Sequence, residues 1–277
     1  MHPLLRITRP GNVLLSALAL LAAGFVAVGP EVLLQIAPQL ALATGAAILC
    51  VGGGNTLNDW FDRETDCTNH PNRVLPRGEL SPETALNWAR ILLLAGLLSA
   101  GLLLDNPLPL IIAAVAVALL LVYELRLKAT GLPGNATISL LAGGLFFYGG
   151  AATGTPGTTL WLAGLATLAT LSRELLKDVQ DLDGDSDRHT LPARIGPVAT
   201  LQLATAVLVL AVVLSLTAYA QFSGRGATAY LTLVILADGW MLNGCRMALI
   251  GDSQAGQQAL KQGMGVAMLA FIAGAAF

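Results

Sequence analysis

Apolar residues run along this chain in long stretches, without the amphipathic stripes of water-facing helices or the alternation of half-buried strands. A membrane-crossing helix needs about 20 mainly apolar residues. Stretches of that kind lie at roughly 12–29, 38–58, 82–104, 107–124, 135–153, 157–176, 197–220, 227–247 and 256–277. The breaks carry turn chemistry: Gly29-Pro30, Asp105-Asn106-Pro107, Gly154-Thr155-Pro156-Gly157 and Ser223-Gly224-Arg225-Gly226. Ser81-Pro82-Glu83 supplies a capping serine and a first-turn proline for the third stretch. The pattern predicts an all-α integral membrane protein, a bundle of about nine transmembrane helices in one domain over residues 1–277.

The polar interruptions are unequal. With nine spans, alternate connections fall on opposite sides, and 14 of the 15 Lys and Arg residues sort to one side, leaving Arg225 on the other. Basic residues concentrate in cytoplasmic connections, so the N-terminus and the polar connections 59–81, 125–134 and 177–196 are expected in the cytoplasm. The C-terminus is expected outside.

Composition agrees. Only 12% of residues are charged and 55% are hydrophobic, against about 25% charged in soluble proteins. The 30 glycines suit helices that must approach closely where lipid removes the hydrophobic drive. There is no basic tract for nucleic acid, and no protein partner is inferred. Cys50, Cys67 and Cys245 are dispersed and suggest neither a disulfide framework nor a zinc site. Arg6 and Arg9 precede an apolar run as in a signal peptide, but such runs continue along the chain, so the first reads as a retained helix.

Chemistry concentrates in two segments. The first contains Asn55, Asn58, Asp59, Asp62 and Asp66; the second contains Glu174, Lys177, Asp178, Asp181, Asp183 and Asp185. Asp59, Asp62 and Asp66 are spaced by three and four, and Asp178, Asp181 and Asp185 repeat that spacing. On a helix this stacks three carboxylates on one face, with Asp183 pointing away. Like charges so placed repel, and a hard, oxygen-seeking cation such as Mg²⁺ relieves the repulsion while bridging to substrate phosphates. Both segments end an apolar stretch and enter a Pro- and Arg-containing loop, a weak similarity that suggests two pseudo-repeated halves.

These residues resemble the UbiA superfamily of intramembrane prenyltransferases. The family's N(D/Q)xxDxxxD motif is matched by Asn58, Asp59, Asp62 and Asp66, and its DxxxD motif by Asp181 and Asp185. The resemblance extends to Arg9-Pro10-Gly11-Asn12 and to Tyr123 through Lys128 followed by Gly131-Leu132-Pro133-Gly134-Asn135. The segment from Arg173 to Pro192 looks most like the branch that makes digeranylgeranylglyceryl phosphate in ether-lipid synthesis.

The resemblance implies Mg²⁺-dependent transfer of a polyprenyl group from its diphosphate to a lipid-like acceptor. Asn58, Asp59, Asp62, Asp66, Asp178, Asp181 and Asp185 would hold the metal, with Asp62, Asp66, Asp181 and Asp185 central to catalysis. Arg9, Asn12, Arg63, Lys128 and Lys177 are the candidates for the diphosphate. Tyr123 is placed to face the carbocation or the acceptor, or to anchor at the interface. Arg73, Arg77 and Arg194 are the candidates for a phosphate on the acceptor. His189 reads as a solvated loop residue. Asp238, inside an apolar stretch, is left outside the site with Asn243 or Arg246 as nearby partners.

Three rivals bear on the reading. A quinone-forming prenyltransferase would use an aromatic acceptor. A CDP-alcohol phosphotransferase would need Gly and Ala-Arg following an aspartate in a register this chain lacks. An ion-coupled transporter would place its charges near the bilayer midplane, whereas these cluster at the ends of apolar stretches.

Overall fold

The computed structural model describes residues 1–103, 105–182 and 190–276. Among them are nine helices of fifteen residues or more: α1 (Pro10–Gln35), α2 (Ala37–Phe61), α3 (Pro82–Gly101), α4 (Leu108–Val122), α5 (Leu132–Ala152), α6 (Leu160–Gln180), α7 (Pro197–Thr217), α8 (Gly224–Leu249) and α9 (Ser253–Ala276). Six of them (α1, α2, α3, α4 with the turn that extends it, α7 with its following turn, and α9) are long and apolar enough to cross a membrane. The molecule is all-α and multi-pass.

Most boundaries fall where the turn chemistry placed them. The Ser81 hydroxyl accepts from the Thr84 amide at 3.1 Å and caps α3. The first helix is longer than expected. It continues to Gln35 through a kink at Gly29, whose φ of 73° is open to glycine, immediately before Pro30. The third ends at Gly101, three residues early.

Consecutive helices pack against one another, and α9 returns to α1, closing a ring. Contacts of α1 with α5, and of α6 with α9, draw the ring inward. Small residues permit this closeness: a Cβ on Gly256 of α9 would lie 2.6 Å from the Gly244 carbonyl oxygen of α8. Large apolar side chains such as Leu98, Ile111, Val115, Val213 and Ile235 point outward and are exposed. In water such a surface would be a liability; in lipid it is the expected exterior.

A small cap core sits at one end of the ring. Ile7, Val74 and Ala85 are buried together, with Leu75, Leu80 and Trp88 packed on them. Trp88 Nε1 donates to the Leu4 carbonyl at 3.0 Å. This cluster fastens the N-terminal segment and the 73–81 loop onto α3, and so fixes where Arg6, Arg9 and Arg73 can reach.

Candidate active site

The last turn of α2 and the loop after it carry the first aspartate segment. The expected single helical face is interrupted: α2 ends at Phe61, and Asp66 opens a separate helical turn, Asp66–Asn69. Backbone bonds from the Asp62 amide to the Asn58 carbonyl at 2.9 Å, and from Asp66 to Asp62 at 2.8 Å, keep the segment coiled. The consequence is a division of labour. Asp59 and Asp66 turn toward Arg73, at 3.5 and 2.6 Å, while Asp62 turns toward Lys128, at 2.7 Å. Arg9 also pairs with Asp59.

Arg9 reaches that carboxylate from the residue before α1. Its backbone is left-handed, with φ 54°, and among the described residues no other non-glycine residue has positive φ. Such a conformation costs roughly 1–2 kcal/mol for an L residue. The guanidinium it delivers bonds both Asn58 Oδ1, at 3.1 Å, and Asp59.

Lys128 arrives by a different route. Residues Tyr123–Leu127 form a π-helical turn after α4, closed by the Lys128 amide donating to the Tyr123 carbonyl at 2.9 Å. Lys128 Nζ lies 5.8 Å from the Tyr123 ring centroid. It donates to Glu124 Oε2 at 2.8 Å as well as to Asp62. Glu124 is buried and its other oxygen accepts from Asn58 Nδ2 at 2.7 Å.

The second segment ends α6 at the same end of the ring. Asp178 Oδ2 accepts from Asn135 Nδ2, at the start of α5, at 2.7 Å. Asp181 caps α6, its amide bonded to the Lys177 carbonyl at 2.9 Å. Asp185, together with Asp183 and His189, lies outside the described residues. His70 registers the proximity of the two segments. Burial lowers its pKa first, then Arg73; Asp66 and Asp181 oppose this, and Lys177 adds to it.

An open cleft of about 370 Å³ lies beside Asp59, lined by Arg6, Arg9, Pro10, Asn72, Arg73 and Val74. Arg73 of the expected phosphate-binding arginines lies here. Arg77 does not line the cleft; it is exposed and pairs with Glu79 at 2.9 Å. Arg194 is exposed on the separate turn Leu191–Ile195. Arg63 donates to the Trp60 carbonyl at 2.9 Å and stacks 4.8 Å over the Trp60 ring, and Asn12 and Lys177 are exposed on α1 and α6. Arg6, Asn72, Glu124 and Asn135 join the site without having been singled out from the sequence. Glu124 and Asn135 stood within matched motifs, whereas Arg6 read only as a topology signal.

Asp238 also resolves differently from expectation. It is buried and accepts from Ser215 Oγ of α7 at 2.7 Å, while Tyr230 Oη donates to the Ser215 carbonyl at 2.6 Å. Asn243 instead faces Met247, at 3.7 Å. Asp238 borders a small apolar pocket of about 90 Å³ whose lining includes Phe146, Leu165, Ala169, Val234, Met241 and Phe271.

Residues 10–273 match the UbiA prenyltransferase family. The chain belongs to that family. This UbiA prenyltransferase is 40% identical over 273 residues to a digeranylgeranylglyceryl phosphate synthase of Methanothrix thermoacetophila, covering 98% of each chain. It is 39% identical to one of Haloquadratum walsbyi, covering 97% of this chain and 92% of the relative. A solved digeranylgeranylglyceryl phosphate synthase structure aligns with TM-score 0.78 at 28% identity, over 99% of this chain and 98% of that one. A UbiA homolog of Archaeoglobus fulgidus bound to GPP and Mg²⁺ shares the fold, with TM-score 0.66 at 17% identity, over 96% of this chain and 99% of that one.

The donor set fits a hard divalent cation. It is all oxygen, from amide and carboxylate groups. Among the described residues no three His, Cys, Asp or Glu side chains form a ready metal cage. Mg²⁺ does not require one, since it takes one or two carboxylates together with waters and substrate phosphates. The same carboxylates hold Arg9, Arg73 and Lys128 in place, cations of the type that grip a diphosphate.

Proposed function

We propose that this chain transfers a geranylgeranyl group from geranylgeranyl diphosphate to the free hydroxyl of geranylgeranylglyceryl phosphate, releasing pyrophosphate. The observation that carries the acceptor is the arginine-lined cleft beside Asp59. An aromatic acceptor with one carboxylate needs one guanidinium. A glycerol phosphate is dianionic, presents several oxygens, and matches a cleft offering Arg6, Arg73 and Asn72. Two curated relatives named for this activity, each about 40% identical along nearly the whole chain, point the same way.

The placement of the described residues supports the following roles. Asn58, Asp59, Asp62 and Asp66 on one side, and Asp178 and Asp181 on the other, would hold Mg²⁺, with Asp185, outside the described residues, a further ligand by its place in the DxxxD motif. When bound, Mg²⁺ neutralises charge that builds on the departing pyrophosphate. Lys128 and Arg9 hold the diphosphate and orient it, with Lys177 and Asn12 at the rim. Asp62 keeps the Lys128 ammonium aimed at the site, and Tyr123 presents its ring beside that ammonium. Allylic C–O cleavage leaves a cation that water would quench, so the reacting carbon must sit on the apolar side of these groups. The closely packed helices supply that exclusion, and the pocket beside Phe146 and Phe271 is a candidate contact for the prenyl chain. The acceptor hydroxyl oxygen bonds to the allylic carbon in place of the departing diphosphate oxygen, and the hydroxyl proton leaves with the pyrophosphate. Arg6, Arg73 and Asn72 hold the acceptor's phosphate; Arg77 and Arg194 add positive potential at the rim.

We also infer nine spans, with the N-terminus and the cap facing the cytoplasm and the C-terminus outside. The basic residues sort to the cap end, and cytoplasmic connections carry such an excess. The two aspartate segments end α2 and α6, four helices apart, in keeping with two halves of related build. One domain accounts for the chain.

Arg6 tests the acceptor site, because it lines the cleft while pairing with Glu79 at 2.5 Å, away from the aspartates. Arg6→Ala should raise KM for geranylgeranylglyceryl phosphate about 10-fold, the loss of one charge-assisted contact, and leave KM for geranylgeranyl diphosphate within twofold. Equal changes in both would remove the acceptor phosphate from this cleft.

A further inference from the structure

We propose that Glu124 is a positioning residue that sets which atoms of Asn58 and Lys128 face the diphosphate end of the site. The proposal rests on the prenyltransferase reading above and adds to it a residue that acts through two others. The Glu124 side chain is 0% exposed, and both of its oxygens are engaged. Oε1 accepts from Asn58 Nδ2 at 2.7 Å and Oε2 from Lys128 Nζ at 2.8 Å.

The first contact decides an orientation. A carboxamide can turn over, exchanging its oxygen for its NH₂ at little intrinsic cost. A carboxylate only accepts, so Glu124 binds the NH₂ and leaves Asn58 Oδ1 directed at Arg9, 3.1 Å away, beside Asp59. Asn58 thereby offers an oxygen to the cation-binding side. With a donor in place of Glu124 Oε1, the amide would turn and present N–H groups there, which repel a metal ion.

The second contact fixes Lys128. Its ammonium is shared between Glu124 and Asp62, on a side chain 13% exposed. The widened turn makes this possible. Because the Lys128 amide bonds five residues back to Tyr123, both Tyr123 and Glu124 come to flank the lysine. Such π-turns are uncommon and recur at functional sites. A buried carboxylate is costly to keep without partners, so the turn and its two donors form one unit.

A structural ion pair would affect stability alone. A positioning residue also changes affinity for the ligand. The probe is geranylgeranyl thiolodiphosphate, an unreactive analogue, titrated into the purified full-length protein in detergent with Mg²⁺ and followed by calorimetry. Glu124→Gln supplies one acceptor and one donor; with the acceptor on Lys128, the donor forces Asn58 to turn. Affinity for the analogue should fall at least 10-fold, within the range for losing an outer-shell partner. KM for the acceptor should stay within twofold. Adding Asn58→Asp to Glu124→Gln exchanges acid and amide. The new aspartate accepts from the glutamine and still turns an oxygen toward Arg9, so affinity should return to within about threefold of wild type. Wild-type affinity in Glu124→Gln, or no recovery in the folded double variant, would overturn the proposal. If Glu124→Gln does not fold, the double variant decides alone by the same threshold. A wild-type protein that does not bind the analogue would instead bring down the prenyltransferase reading, and the proposal with it.

Discussion

Arg73 spans Asp59 and Asp66, its Nη1 lying 3.5 Å from the one carboxylate and 2.6 Å from the other. The residues it joins are on different helical elements, so the loop after α2 is folded back over the end of that helix. Asp62, between them in sequence, is directed to Lys128 instead. The cap is thus divided into an arginine side, next to the cleft lined by Arg6, Arg9 and Arg73, and a lysine side, next to the π-turn.

Both aspartate segments are required on this account. Asp62→Asn and Asp181→Asn should each lower kcat by about 100-fold or more, the scale of removing one preorganised electrostatic group. Circular dichroism and gel-filtration behaviour should be unchanged. Near-normal turnover of either variant at limiting Mg²⁺ would rule out a site built from both segments.

Packing of α8 on α9 leaves no room for an added side chain at Gly256. A Cβ at Gly256 meets the Gly244 carbonyl at 2.6 Å, and backbone cannot yield cheaply. Gly256→Val should destabilise by about 2 kcal/mol or more, as overpacking does. Gly265→Ala on the same helix meets no atom within 4 Å and should leave the melting temperature nearly unchanged. Equal melting shifts in the two would mean that α8 and α9 are less closely packed than described.

His70 gives a pH readout of the cap. Burial and Arg73 lower its pKa, so it is neutral at neutral pH. An unfolded histidine, with pKa about 6.5, takes up a proton more readily, so folding stability from this group declines as pH falls through that value. Arg73→Ala should raise the His70 midpoint in an NMR titration. A midpoint that moves down would place His70 away from Arg73.

Much of the fold was legible because an apolar stretch of spanning length leaves little choice of structure. Even the Gly29-Pro30 break was visible, although there the chain kinks and the helix resumes. Of the candidate site, the two aspartate segments were legible as clusters of carboxylates. Which atoms pair was not, since pairing depends on where α2 stops. The three-and-four spacing implied one face through Asp66, and the turn after Phe61 divided it. Asp238 likewise finds Ser215 on another helix, beyond the reach of any local pattern. Glu124 reads in sequence as one charge in a mixed segment; only the π-turn reveals that it is buried between Asn58 and Lys128.

Membrane orientation can be read with a native thiol. Cys67 is exposed on the cap, whereas Cys245 is buried. An impermeant maleimide should label Cys67 from the cytoplasmic side of sealed vesicles. In a Cys67→Ser background, Ser223→Cys, exposed before α8, should label from the opposite side. Labelling of Cys67 from outside would invert the arrangement.

A phosphorylated glycerol ether as acceptor is the proposal on which the reaction rests. The direct measurement is competition in one reaction: purified protein, Mg²⁺ and geranylgeranyl diphosphate, with geranylgeranylglyceryl phosphate and 4-hydroxybenzoate at equal concentration and products identified by mass. Digeranylgeranylglyceryl phosphate should dominate, and Arg6→Ala should reduce that preference. Faster formation of prenylated 4-hydroxybenzoate, unaffected by Arg6→Ala, would contradict the assignment of the acceptor while leaving the family intact.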